Sequence, residues 1–334
     1  MNLNPSNVSS CVKNVAIFEA VQIFSNIYIL SNVLSKMPPR DTQKRVWRLP
    51  IVFLIGYHLL LAITLPWYLS TRTPSLTLLL LSLALTSLVM LSVTLGAHRL
   101  YAHKSFELSK RWIHYPLVWF NTLGAQGSII EWASDHRHHH KSVDTDEDPY
   151  SIKDGFWHAH FLWLFKKRRG TDLRITKDLY ADPLLRWQFK RYDLFFFFTT
   201  VLTTGILAWI TKDLFGAIVF GFLGRIFIAH NCTFFINSAA HYWGEKTFSK
   251  EHSAVNNWFL AWITFGEGYH NYHHAFPNDY RNGMRWWQYD PTKWAIWMLA
   301  KLKLAKDLKI VSEAEIQDRI QREQNNLSIV NHKY

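Results

Sequence analysis

Cysteine is nearly absent: 334 residues hold two, Cys11 and Cys232. No disulfide framework is implied by that count, and neither cysteine sits in a histidine cluster, which argues against a cysteine-based zinc site. A basic segment is missing from the start of the chain, and Glu19, Gln22 and Asn26 interrupt its most apolar stretch, residues 15–34. A cleavable signal peptide therefore does not fit, and an interfacial helix fits better than a span. Internal repeats, low-complexity linkers and nucleic-acid-binding motifs are lacking as well. Acidic residues are scarce, 25 against 37 Lys and Arg, for a net charge of +12 with His neutral. The basic residues flank apolar runs, so lipid headgroups and the positive-inside bias explain the surplus, and nucleic acid is not an expected partner.

What is abundant is apolar and aromatic. Hydrophobic residues make up 49% of the chain, with 16 Trp and 23 Phe. Mean hydropathy is still only -0.07, so apolar and polar residues must be segregated. That segregation predicts an all-α integral membrane protein with a sizeable polar part. Four spans are expected, at residues 51–69, 75–96, 194–210 and 214–228, the last two short. The linkers at 70–74 and 211–213 are tiny, whereas 97–193 and 229–334 are long, hydrophilic and basic. With Arg40, Lys44, Arg45 and Arg48 ahead of the first span, this puts both termini and both long blocks in the cytoplasm. The domain reading is an N-terminal cytosolic or interfacial segment at 1–45, the main domain at 46–310 and a charged tail at 311–334, with a solvated helix over 312–325.

Histidine is the anomaly, with 17 copies. His98 and His103 stand in HRLYAH, His136, His139 and His140 in HRHHH, and His270, His273 and His274 in HNYHH; His241 follows Asn237 in NSAAH. On a helix, positions i, i+3 and i+4 share a face, so each HxxHH aims three imidazoles at one point, while His138 points away. His98 and His103, five apart, converge only if the helix ends between them or each serves a different metal. One zinc takes four ligands, so nine imidazoles call for two ions. Ligand type alone does not choose among iron, copper, zinc and nickel. His58, His114, His158, His230, His252 and His332 read as packing or surface residues, and His160 is left open.

Segments GAHRLYAH (96–103), EWASDHRHHHKSVDTDEDPY (131–150), NSAAHYWG (237–244) and GEGYHNYHHAFPNDYR (266–281) together resemble the membrane fatty-acyl desaturases, in the delta-9 branch that includes stearoyl-CoA desaturases. The resemblance covers residues 45–310. It implies four transmembrane helices under a cytosolic helical cap, and a kinked tunnel for the acyl chain. It also implies that His98, His103, His136, His139, His140, His241, His270, His273 and His274 hold two ferrous ions, with Asn237 reaching the metal through water. The implied activity is insertion of a cis, delta-9 double bond into a saturated acyl chain with dioxygen and two electrons.

The carrier, acyl-CoA or acyl-lipid, stays open. Ser134 stands before Asp135, and Gln126-Gly127 replaces the Gln-Asn pair, where animal acyl-CoA members have CoA contacts. HRHHH with AQG upstream is more similar to bacterial and cyanobacterial members, which suggests a bacterial inner membrane. Lys167 and Arg168, in the run 166–169, match the place where basic residues meet CoA phosphates and suit phospholipid headgroups equally. Trp132 is expected to line the tunnel with Gln126. Asp135 and Glu267 are expected to hold imidazoles by their second nitrogens, whereas the DTDED run reads as caps or surface charge. The sequence holds no HPGG heme motif, so a separate donor is expected, ferredoxin or cytochrome b5 with its reductase. Two rivals share parts of this pattern: a diiron lipid or alkane hydroxylase, and a non-enzymatic metal-binding or transport protein. The scarcity of ionisable residues in the spans, Arg225 apart, argues against transport.

Overall fold

The computed structural model describes residues 49–166 and 170–331. The expected interfacial helix, the basic cluster before the first span, Lys167, Arg168 and His332 lie outside the described residues.

Four helices among the described residues are long and apolar enough to cross a membrane: Pro50–Thr71, Leu76–Ala102, Tyr192–Thr211 and Leu214–His241. The first lies within α1 (Leu49–Thr71), which carries Pro66 internally. The second begins as α2 (Leu76–Leu91), capped by the Ser75 side chain, and continues through wider i→i+5 turns over Ser92–Ala102. Two shorter helices follow it: α3 (His114–Leu123) packs against those wide turns, and α4 (Ile129–Lys141) carries the second histidine box. An eight-residue helix, α5 (Pro183–Lys190), leads into α6 (Tyr192–Thr211), the third span. The fourth ends in α7 (Arg225–Asn237).

The fourth span runs well past the expected end at residue 228. His230 and Asn231 look like a boundary in sequence, but their polarity is answered inside the protein. His230 bonds Tyr57 Oη and the Ala125 carbonyl, and Asn231 Nδ2 donates to Phe227 O. Length has a consequence for the site. Helices of 27 and 28 residues reach roughly 40 Å at 1.5 Å per residue, against a hydrocarbon layer of about 30 Å. The second and fourth spans can thus carry His98 and His241 clear of the lipid while remaining anchored in it.

The rest of the chain folds over that end. Short helices α8 (Trp258–Ile263) and α9 (His270–Ala275) precede α10 (Pro291–Lys301), and α11 (Glu313–Asn331) closes the chain. One two-residue ladder, β1 (Glu107–Leu108) against β2 (Ala305–Lys306), pins the segment after the first histidine box to the segment after α10. The tail differs from a fully solvated helix. Ile316 is buried with Phe248, Tyr272 and Phe276, and Arg319 donates to Phe248 O.

Candidate metal centre

Each histidine box is aimed by a local device. His98 and His103 lie on the wide turns, where the His103 amide donates to His98 O. An i→i+5 winding carries residues five apart round to nearly the same face. Neither expected route, a helix break or two separate metals, is needed: the two rings are 4.8 Å apart and share one group. Helix α4 starts from a capping box. Ser128 Oγ accepts from the Glu131 amide, and Glu131 Oε2 accepts from the Ser128 amide. That fixes the face bearing His136, His139 and His140, while His138 turns toward Asp172, 3.7 Å away. The α-helix ends at Asn237, and a tight turn, Ala239–His241, delivers His241. Short α9 presents His270, His273 and His274.

The nine imidazoles form two groups. His98, His103, His136, His140 and His273 make one; His139, His241, His270 and His274 make the other. Within each group the donor atoms all lie within 4.8 Å of one another. Six of the nine rings are buried, and His103, His140 and His274 are half-buried.

Several of these rings have their inner nitrogen defined by what the outer one does. His98 Nδ1 donates to Glu267 Oε2 at 2.9 Å, and His139 Nδ1 to Asp148 Oδ1 at 2.9 Å. His241 Nδ1 is 2.8 Å from Ser253 Oγ, whose hydroxyl donates to Asp144 Oδ1 at 2.6 Å. Those Nε2 atoms then carry lone pairs aimed inward. His98 and His273 Nε2 are 3.0 Å apart, and so are those of His241 and His270. Converging lone pairs at that spacing repel unless a cation lies between them, so the donor set fits metal ions. Glu267 appears where sequence reading expected it. Asp148 and Asp144 do not: they are buried partners of the site, not caps or surface charge. Ser253 gave no sequence signal at all.

The electrostatics keep these imidazoles neutral, the form that can bind a metal. Burial pushes His103, His136, His140, His270, His273 and His274 well below the usual histidine value, and neighbouring imidazoles add to the effect. Burial would raise Glu267, but His98 and Arg99 hold its carboxyl down to about 2. Arg99 Nη2 donates to both Glu267 and Asp290, and Asn282 Nδ2 to Glu267 at 2.6 Å, so this anchor is itself anchored.

Two cavities meet at the centre. The outer, of about 310 Å³, is lined by Phe53 and Leu54 of α1 and Phe196 of α6, and reaches Gln126, Trp132, Asp135, His136 and Asn237. The inner, of about 30 Å³, passes His98 and His270 to Met90 and Val93. Trp132, His136, Tyr150, Thr233 and Asn237 line both. Trp132 stacks on His136, centroids 4.8 Å apart, and its Nε1 donates to Gln126 Oε1. Gln126 Nε2 donates in turn to Thr233 Oγ1 and Ala229 O of α7. Asp135 lines the outer cavity beside His136.

The remaining histidines sort differently. His160 bonds Ser238 Oγ and His114 bonds Tyr101 Oη, outside both groups. His58 donates to Leu54 O, and His158 lies beside Asp154. His252 is not in either group, yet its ring lies 4.9 Å from that of His274.

Comparison with known proteins agrees with this geometry. Residues 73–305 match the family model described as fatty acid desaturase. The chain is 38% identical over 246 residues to Acyl-CoA desaturase 1 of Saccharomyces cerevisiae, covering 71% of this chain and 47% of that one. It is 34% identical over 276 residues to the sn-2 palmitoyl-lipid 9-desaturase of a Nostoc species, covering 82% and 94%. It is 37% identical over 227 residues to the sn-1 stearoyl-lipid 9-desaturase of Anabaena variabilis, covering 67% and 81%. The chain thus spans about half the length of the yeast relative and nearly all of the Nostoc one. On the family match and these identities, this membrane protein belongs to the fatty acid desaturase family.

Proposed function

We propose that the chain is a fatty-acyl desaturase that introduces a cis delta-9 double bond into a saturated chain held as acyl-CoA or acyl-lipid. The observation that carries this reading is the pair of imidazole groups set against a cavity walled by apolar side chains from two spans. An acyl chain entering past Phe53, Leu54 and Phe196 would reach Trp132 and then the inner cavity beside His98 and His270. The overall reaction removes two hydrogens from adjacent methylenes; dioxygen takes them up with two electrons and two protons and leaves as two waters.

The group assigned here is two iron ions, which the five-imidazole and four-imidazole groups would hold, with Asn237 reaching the metal through water. They supply the dioxygen-activating oxidant that no side chain provides. The protein's share is orientation and exclusion. Glu267, Asp148 and the Asp144–Ser253 pair fix ring tautomers, and Trp132 and Tyr150 wall the cavity beside the ligands. The histidine boxes lie in a helical cap on the cytoplasmic side, in a bacterial inner membrane. A separate one-electron carrier, ferredoxin or cytochrome b5 with its reductase, supplies the electrons, and a basic face suits an acidic one.

Expression in a host lacking its own desaturase tests this. Gas chromatography should show a new monounsaturated fatty acid with its bond at carbon nine. A product heavier by one oxygen would establish hydroxylation instead. Labelled acyl-CoA fed to membranes distinguishes the two carriers.

A further inference from the structure

We infer that α10, with Trp286 and Trp287 ahead of it, is a lipid-seated shelf: an interfacial helix lying on the bilayer surface beside the second span. It rests on the reading that the four long helices cross a bilayer.

The depth of α10 is fixed by one contact. Thr292, in its first turn, shares a buried 2.7 Å hydrogen bond with Thr94. Thr94 is within the second span, four residues before His98, and so about one turn deeper along the helix axis. The start of α10 is therefore tied to the upper part of the second span, below the level of His98.

The face that α10 turns outward is apolar. Thr292, Lys293 and Ile296 are buried against the protein. Trp294, Trp297, Met298 and Lys301 fall at i, i+3, i+4 and i+7, the opposite stripe. The exposures of Trp294, Trp297 and Met298 are 41%, 47% and 51%, and that of Leu302, just beyond, is 61%. Trp286 and Trp287 are 79% and 62% exposed, and the Trp294 indole N–H donates to Trp286 O, joining the two pieces. A contiguous exposed patch of this kind marks a surface that is covered in use.

The chemistry of the patch selects a bilayer interface as the cover. Tryptophan prefers the headgroup boundary, where an apolar ring and a polar N–H are both satisfied. Lys301 Nζ lies 5.4 Å over the Trp297 ring, at the edge of the patch, and Lys303 is exposed next to it. Long basic chains there can bury their stems and reach headgroup phosphates. The shelf is also tied to the centre. Asp290 caps α10 by accepting from the Lys293 amide, and the same carboxylate holds Arg99, which holds Glu267 on His98.

Site-directed spin labelling in phosphatidylcholine vesicles decides the matter. In a background with Cys11 and Cys232 changed to Ser, Met298→Cys and Leu302→Cys are labelled separately, so that poor folding of one leaves the other. Leu83→Cys, exposed in the second span, is the buried reference, and Arg322→Cys on α11 the aqueous one. The expected result is collision with a water-soluble nickel chelate several-fold below that at position 322, with oxygen collision raised toward that at position 83. Nickel access at positions 298 and 302 equal to that at 322 would overturn the shelf alone. Nickel access at position 83 as well would overturn the spans and the shelf together.

Discussion

The rings of His140 and His274 lie one over the other, centroids 4.3 Å apart and planes 14° apart, although they belong to different imidazole groups. The two groups therefore share a wall. A vacancy in that wall is open to both. On the proposed diiron loading, His274→Ala should lower bound iron from two per chain to below one, rather than emptying one position cleanly. His160→Ala, outside both groups, should keep two. Metal analysis of the purified proteins measures the difference.

The carboxylates behind the rings make a second test. Asp148 accepts from His139 Nδ1 and also from the amides of Asp144 and Tyr150, so it fixes both a ring and the loop that follows. Asp148→Asn keeps the size and weakens the acceptor. Loss of such a partner costs about 10- to 100-fold in metal affinity. Chelator competition should show that loss in Asp148→Asn, and a comparable loss in Glu267→Gln.

These two acids also mark what could be read in sequence. The HxxHH spacing was legible because three imidazoles on one helix face follow from helix geometry alone. Glu267 was legible because it stands alone beside a box. Asp144 and Asp148 were not, because they sit among other acids, and a run of acids usually faces solvent. Ser253 reaches His241 across twelve positions, a contact no local pattern carries. The wide winding over Ser92–Ala102 was hidden for another reason: the residues of an i→i+5 turn look like those of an ordinary helix. The fourth span was read short because His230 and Asn231 resemble an exit to water until their partners are known.

Acid should release the metal by a route the burial explains. The rings of His136, His140, His270, His273 and His274 are held well below the usual histidine value, chiefly by desolvation. Folded chains therefore bind fewer protons than unfolded ones below the unfolded value of about 6.5. The sign follows: stability and metal retention are full above that pH and fall as the pH drops through it toward the lowered folded values. Iron retained after brief incubation across pH 4 to 8 should be flat on the alkaline side and decline below about 6.5. A rise on acidification would contradict neutral, buried ligands.

Trp132 lines both cavities and is held there by Gln126. Trp132→Phe keeps a ring on His136 and drops only the Nε1 bond, so activity should fall modestly with the bond position kept. Trp132→Ala removes the wall. On the proposed path an acyl chain would then lose its lateral support beside His136, and misplacement on the ångström scale costs on the order of 10²-fold in rate. Gas chromatography with mass spectrometry should show a spread of double-bond positions as well as less product.

The tail gives the last prediction. Ile316 of α11 is buried against Phe248, Tyr272 and Phe276, and Tyr272 stands inside the HNYHH box. Its phenol donates to Asp279, which also binds Arg281 and accepts from the Val311 amide, so the tail and the box are fastened at two levels. Ile316→Ala leaves a void among aromatic rings, and such a change costs about 2–5 kcal/mol. Gln317, its neighbour, is exposed, and Gln317→Ala should stay within about 0.5 kcal/mol. Thermal unfolding of the two variants in the same detergent should separate them by that margin. Equal midpoints would mean that α11 is solvated on every face and that the third histidine box holds its shape without it.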